Sequence, residues 1–129
     1  MWHDTTVSDE ILIIGGGVVG LALGWRLRQE GARVSIVERG ICGRSAGWAS
    51  AGLVQAAPDV AAAARRKEWS LGPSATLTGL VYATGHFKTG IVLAPETARM
   101  LAPLLLRGER DPRLGPFGVE RLRPSSALP

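Results

Sequence analysis

The apolar positions fall into blocks of different period. Ile11, Leu12, Ile13 and Ile14 form a short continuous run, the signature of a strand buried in a parallel sheet. Three glycines follow, and then a dense apolar stretch from Val18 to Trp25 grades into Arg26–Glu30. That spacing predicts a helix over 18–29, closed by Gly31. So much of it is apolar (Val18, Val19, Leu21, Ala22, Leu23, Trp25) that burial on more than one side is expected. Gly24 costs such a helix about 1 kcal/mol relative to alanine, which points to close packing on the sheet. Val34, Ile36 and Val37 supply a second strand.

Downstream the pattern loosens. Arg39–Ala51 is small and glycine-rich, a loop in either of two senses: a flexible connection, or a row of N–H groups suited to an anion. Pro58–Ser70, with its alanine run and charges, predicts a short surface helix ending near Trp69. Leu80–Ala83 predicts a strand. A last helix follows, with Pro95 in its first turn, Glu96 complementing the dipole there, and Arg107 and Gly108 at its end. Pro103 lies well inside it and predicts a kink. The proline-rich stretch 111–129 reads as a loop-like tail. No internal repeat is visible.

The first three elements carry chemistry. Gly15 permits a sharp turn off the strand, Gly17 leaves no Cβ between the main chain and a pyrophosphate, and Gly20 lets the helix settle on the sheet. The helix N-terminus at Val18 and Val19 offers N–H groups and partial positive charge to phosphates. Glu38, closing the second strand, is placed to accept the hydroxyls of an adenosine ribose. A dinucleotide-binding βαβ unit is the reading these matches favour over an ordinary glycine-punctuated βα unit.

Composition narrows the classes. The chain has 129 residues and a formal net charge of +4, almost all from arginine. The only basic cluster, Arg65, Arg66 and Lys67, is followed by Glu68 and lacks interleaved aromatics, so nucleic acid is not an expected partner. Cys42 is the single cysteine, which excludes an internal disulfide and fits a reducing, cytoplasmic compartment. The apolar run Ile11–Trp25 is flanked by Asp4, Asp9 and Glu10 and is too short for a span, so neither an export signal nor a membrane span is expected. No metal site is expected.

The order of a βαβ unit ending in Glu, followed by G-R-x-x-x-W-A-x-A-G-L, resembles the FAD-dependent D-amino-acid oxidase superfamily, and within it the glycine oxidases of thiamine biosynthesis. Gly43, Arg44, Trp48, Ala49, Ala51, Gly52 and Leu53 carry that match. A second block, from Gly85, His86 and Phe87 through Gly90 to Pro95, is similar to the family's C-terminal strand-to-helix motif, and DPRLGPFGVERLRP to the family segment beyond that motif. The resemblance spans Ile11–Ala57 and Leu71–Pro124. It implies an N-terminal arm (1–10), the two halves of an FAD-binding domain (11–57 and 71–110), a junction (58–70) and a tail (111–129). The implied fold is α/β, a Rossmann-like FAD-binding βαβ unit with the C-terminal strand and helix completing a small parallel sheet.

The resemblance also implies roles. FAD is the expected cofactor. The loop carrying Arg39, Arg44, Ala46, Gly47, Ala51, Gly52 and Leu53 would wrap the pyrophosphate and run under the flavin. The second helix N-terminus, with His86, Lys88, Thr89, Gly90, Ile91 and Val92, would face the flavin's pyrimidine side. Lys88 is also the candidate contact for a small-molecule amine or amino acid substrate. The implied reaction is amine oxidation by hydride transfer to the flavin, with peroxide formed on reoxidation. Three positions depart from the pattern: Lys88 stands for an arginine, Thr89 for an asparagine, and Gly47 for a hydroxyl residue. Lys88 keeps the charge but loses the bidentate fork. The family's middle region, with its G-x-R-P substrate arginine, has no counterpart; Arg65 and Arg66 lack that context. No residue is assigned to catalysis, and His86 is expected to serve through its backbone rather than as a base.

Three functions are therefore open: an FAD-dependent oxidoreductase, a non-catalytic, internally deleted FAD-binding remnant, or a module for another adenine dinucleotide such as NAD, against which GHFKTGIVLAP argues. An unpaired sheet edge, if the core closes without further strands, predicts self-association into a homo-oligomer.

Overall fold

The computed structural model describes residues 10–50, 69–86 and 89–122. The polar arm, most of the junction, Phe87, Lys88 and the final residues lie outside them, as do the site candidates Ala51, Gly52 and Leu53.

Strand β1 (Glu10–Ile14) leads through the glycine turn to helix α1 (Val18–Gln29) and strand β2 (Arg33–Val37). The strands pair in parallel, with Ile13 beside Ile36 and Ile14 beside Val37. Parallel pairing needs a crossover, and α1 is that crossover. Strand alternation points Ile13 into the core, while Leu12 and Ile14 on the other face stay exposed, with Val37 beside them. Among the described residues nothing covers that second face.

Beyond the glycine-rich stretch, strand β3 (Ser70–Pro73) and strand β4 (Val81–Thr84) pair antiparallel. Here the expectation that the C-terminal strand completes the parallel sheet is corrected: β4 forms a separate two-stranded sheet with β3. The cause is the short link between them. The Ser74 hydroxyl accepts from the N–H groups of Thr76 and Leu77, and Ser74 N–H donates to the Leu80 carbonyl at 2.8 Å. A turn of that kind returns the chain alongside itself and leaves no room for a crossover.

Helix α2 (Gly90–Arg107) starts more than a turn earlier than predicted. Thr89 donates to the His86 carbonyl through both its N–H (3.0 Å) and its Oγ1 (2.8 Å), and this tight turn starts the helix before Pro95 is reached. Pro95 and Glu96 thus lie in the helix body, and Glu96 pairs with Arg99 and Arg113 instead of serving the N-terminus. The helix also runs unbroken through Pro103, leaving the Arg99 carbonyl without its helical donor. Its C-terminus is as expected: Gly108 is left-handed (φ 71°), and its N–H closes on the Leu104 carbonyl at 3.0 Å.

Helix α1 packs on the sheet with one side and on α2 with another. Leu23 and Leu27 are buried there, so α1 is buried on more than one side as expected, while Trp25 on its outer face is 69% exposed. At their C-terminal ends the two helices are tied by Glu30, which accepts from Arg107 at 2.9 Å and Arg26 at 2.8 Å.

The remaining core lies under α2. The tail is more ordered than its prolines suggested: Pro112–Phe117 and Val119–Leu122 are 3₁₀ segments. Asp111 caps the first of them, accepting from Arg113 N–H at 2.9 Å. Leu114 and Phe117 are buried, and Phe117 stacks on Trp69 at 5.2 Å. Trp69 itself is 3% exposed, so the residue predicted to end a surface helix is a core residue that enters β3.

Because Leu114 is fully buried and Leu122 is 46% exposed, truncating each to alanine separates packing from surface loss. Leu114→Ala is expected to cost about 2–5 kcal/mol and Leu122→Ala about 0.5 kcal/mol or less, read as shifts of the urea midpoint. Equal shifts would show that the 3₁₀ segment is not part of the core.

Candidate functional site

The glycine turn is built by three different constraints. Gly15 adopts φ 109°, a region L side chains rarely enter, and its N–H continues the sheet ladder to the Val37 carbonyl at 2.8 Å. A β-carbon on Gly20 would collide with the Gly15 carbonyl oxygen, and one on Gly24 would press on Ile36 (3.0 Å) and Ile13 (3.4 Å). These two glycines set how closely α1 lies against β1 and β2. Gly17 is different. Its backbone is ordinary, and a β-carbon there would meet no protein atom within 4 Å. Neither strain nor packing against the described residues requires it, and the space beside it is open.

Gly17 is the N-cap of α1. No side chain caps this end and its first turn contains no acidic residue. The N-terminus of α2 is alike: Thr89 is the N-cap, its hydroxyl is spent on the His86 carbonyl, and no acidic residue occupies the first turn. Each end presents N–H groups that the helix itself does not satisfy. Both border one cleft of about 490 Å³. Gly17, Val18, Leu21 and Ala22 line it from α1, and Ile91 from α2. Gly43, Ser45, Gly47 and Trp48 close it from the loop. That volume lies within the roughly 300–1,000 Å³ usual for small-molecule sites. Among the described residues, Ser45 brings a hydroxyl and Trp48 an indole N–H to an otherwise apolar lining.

The loop is pinned to the glycine turn. Gly43 N–H donates to the Gly16 carbonyl at 2.8 Å, and Cys42 packs where a β-carbon on Gly16 would sit, 2.7 Å from its sulfur. Trp48 N–H closes a turn on the Ser45 carbonyl at 2.9 Å, and the Arg44 guanidinium lies 5.0 Å from the centre of the Trp48 ring.

Glu38 sits beside the same turn. One carboxylate oxygen accepts from Gly16 N–H at 2.8 Å and the other from Gly40 N–H at 3.0 Å. These bonds, Gly16 first, hold its carboxyl below its ordinary value of 4.5 and keep it an acceptor. Each oxygen retains a lone pair for a further donor.

The predicted residues thus divide. Gly17, Val18, Gly47 and Ile91 line the cleft. Gly15, Val19 and Gly20 build the turn and the first helical turn beside it, and Thr89, Gly90 and Val92 belong to the start of α2. Arg39, Arg44 and Ala46 are exposed loop residues. Leu21, Ala22, Gly43, Ser45 and Trp48 join the lining without having been singled out as cofactor contacts. Helical spacing from Val18 points to Leu21 and Ala22, whereas the loop residues are placed only by how the loop folds back.

His86 is turned into the core. It is 6% exposed, stacks on Trp69 at 5.6 Å, and its Nε2 lies 2.8 Å from Thr97 Oγ1. Burial pushes its pKa below the ordinary 6.5. Among the described residues no group of three or more His, Cys, Asp or Glu could hold a metal, and no helix is long and apolar enough to cross a membrane.

Comparison with known proteins bears on this geometry. Residues 10–72 match the family of FAD dependent oxidoreductases, DAO. The glycine oxidase of Pseudomonas aeruginosa is 44% identical over 48 residues, 37% of this chain and 13% of that protein. The glycine oxidase of Geobacillus kaustophilus is 43% identical over 47 residues, 36% of this chain and 12% of the relative. The bifunctional protein ThiO/ThiG of Nostoc is 45% identical over 42 residues, 33% of this chain and 6% of it. The chain therefore covers about an eighth of the glycine oxidases it matches. No solved structure matches it significantly. The matched family is FAD-dependent, and the match contains the glycine turn, Glu38 and the loop, while the start of α2 lies beyond it.

The buried imidazole gives a pH signature. His86 is depressed in the folded state and ordinary when unfolded, so the unfolded chain binds more protons below pH 6.5. Stability is full above pH 6.5 and falls as the pH drops through that value. The depressed carboxyls, Glu38 among them, contribute only from about 4.5 downward. A His86→Gln variant is expected to flatten the stability profile between pH 6.5 and 5, measured by urea unfolding; an unchanged slope would place the titration elsewhere.

Proposed function

We propose that this chain, an FAD dependent oxidoreductase segment over residues 10–72, binds FAD between the glycine turn and the cleft joining the two helix N-termini. The observation that carries this is Gly17: a glycine at an uncapped helix N-terminus that no described residue demands, beside a carboxylate held ionised. The α1 N-terminus and the open space at Gly17 would take the pyrophosphate. Glu38, fixed by Gly16 and Gly40, would accept from the ribose hydroxyls with its remaining lone pairs. The apolar cleft would take the ring system, with the N–H groups of α2 at its rim.

Bound FAD supplies a two-electron acceptor, and in glycine or D-amino-acid oxidase chemistry the donor is the C–N bond of a small amine or amino acid. The chain's own residues bind, orient and exclude water; no titratable side chain lines the cleft among the described residues. Such a lining favours a second reading: a module that holds FAD without turning over substrate by itself. Peroxide formation on glycine or D-alanine by the FAD-loaded chain would exclude the second reading.

Two glycine variants test the cofactor site. Gly17→Ala is expected to lower stability by about 1 kcal/mol or less, since the backbone tolerates it and alanine is a poorer N-cap than glycine. It should weaken FAD at least about tenfold, roughly 1.4 kcal/mol, in a titration followed by flavin absorbance after gel filtration. Gly20→Ala should lower stability itself, by about 1–3 kcal/mol. A folded wild-type chain that retains no flavin would overturn the proposal.

A further inference from the structure

We propose that Trp48 is a stacking plate for the ring system of the bound flavin, with Arg44 bracing its indole. This rests on the flavin reading above and adds a residue that the glycine motif does not specify. Trp48 is 69% exposed yet lines the cleft. An indole of that size left open to water on a mobile loop would be an ordinary surface residue, but this loop is tied to the glycine turn and folded on itself. Gly43 N–H holds it to the Gly16 carbonyl, and Trp48 N–H is bonded to the Ser45 carbonyl. The Arg44 guanidinium over the ring restricts it further, 5.0 Å from the centroid. A large planar side chain is thus pre-positioned at the wall of a cleft whose described lining is otherwise apolar but for Ser45.

The position also says which part of the ligand it meets. Glu38, which marks the ribose end, is absent from the cleft lining, whereas Ile91 at the start of α2 is in it. Trp48 therefore stands at the end away from the adenosine. A flat, apolar, electron-poor tricycle offers an indole the offset stacking that aromatic pairs favour. Arg44 at the same rim adds positive charge beside an anionic ligand.

Trp25 is an internal control, equally exposed at 69% but on α1 outside the cleft. The test uses the full chain titrated with FAD, reading tryptophan emission, bound-flavin emission and affinity together. In the wild type and in Trp25→Phe, FAD is expected to quench Trp48 emission, and the bound flavin's own emission should be quenched by the stacked indole. Trp48→Phe keeps a stacking ring but not an efficient electron donor. It should hold FAD within about threefold of wild type while losing the flavin quenching. Trp48→Leu should lose the quenching and about tenfold in affinity. Flavin quenching that persists in Trp48→Phe, or wild-type affinity in Trp48→Leu, would overturn the stacking role and leave the FAD site standing. A folded wild-type chain that binds no FAD overturns both.

Discussion

The structure depends on how closely α1 can approach the sheet. Gly20 and Gly24 set that distance, because a side chain at either would meet the Gly15 carbonyl or the Ile13 and Ile36 side chains. With α1 seated, its N-terminus is aimed along the end of β1 and cannot swing away. Its opposite flank then receives α2. Glu30 ties the C-terminal ends of both helices through Arg26 and Arg107, so the two N-termini are left together at the other end. The cleft between them follows from how the two helices pack.

Its electrostatics follow as well. Two uncapped helix ends raise the potential at the cleft, and no acidic residue in either first turn offsets it. Among the described residues, the carboxylate beside the turn, Glu38, is drawn to Gly16 and Gly40 N–H and so satisfies part of the turn's own demand. That leaves a site suited to a ligand with a negatively charged centre, a hydroxyl-bearing end and an apolar planar end. Among the described residues, its lining holds no acid or base. His86, the residue that catalysis would most readily recruit, is committed to Thr97 and Trp69.

Local rules made the first half legible. The limits of α1, the two strands around it and the work of Gly20 and Gly24 were all written in apolar spacing and glycine position, because contacts there join neighbours in sequence. The C-terminal part was less so. The start of α2 was misplaced because Pro95 suits a first turn in general, whereas here the double bond from Thr89 to the His86 carbonyl begins the helix earlier. The pairing of β4 depended on the Ser74 turn, and the burial of Leu114 and Phe117 on a stack with Trp69 from far upstream. In the cleft, Gly17, Val18 and Ile91 could be named from motif position. Ser45 and Trp48 could not be placed on its wall by spacing alone, since the loop carrying them folds back only through the Gly43–Gly16 bond.

Stability and binding are consequently held by different parts of the chain. The best-buried side chains, Leu27, Leu71, Leu101 and Leu114, lie along α1, α2, β3 and the first 3₁₀ segment. The parallel sheet contributes Ile13 on its α1 side and leaves Leu12, Ile14 and Val37 in water on the other. Parallel sheets are normally covered on both faces, so the strands that aim the glycine turn gain only half of the burial such strands usually have. Apart from α1, the glycine turn is held by Val37, Glu38 and the loop at Cys42 and Gly43. A ligand spanning the turn and the cleft would add contacts to β1, α1, the loop and α2 at once, and it would stabilise the end of the molecule where the chain's own packing is thinnest.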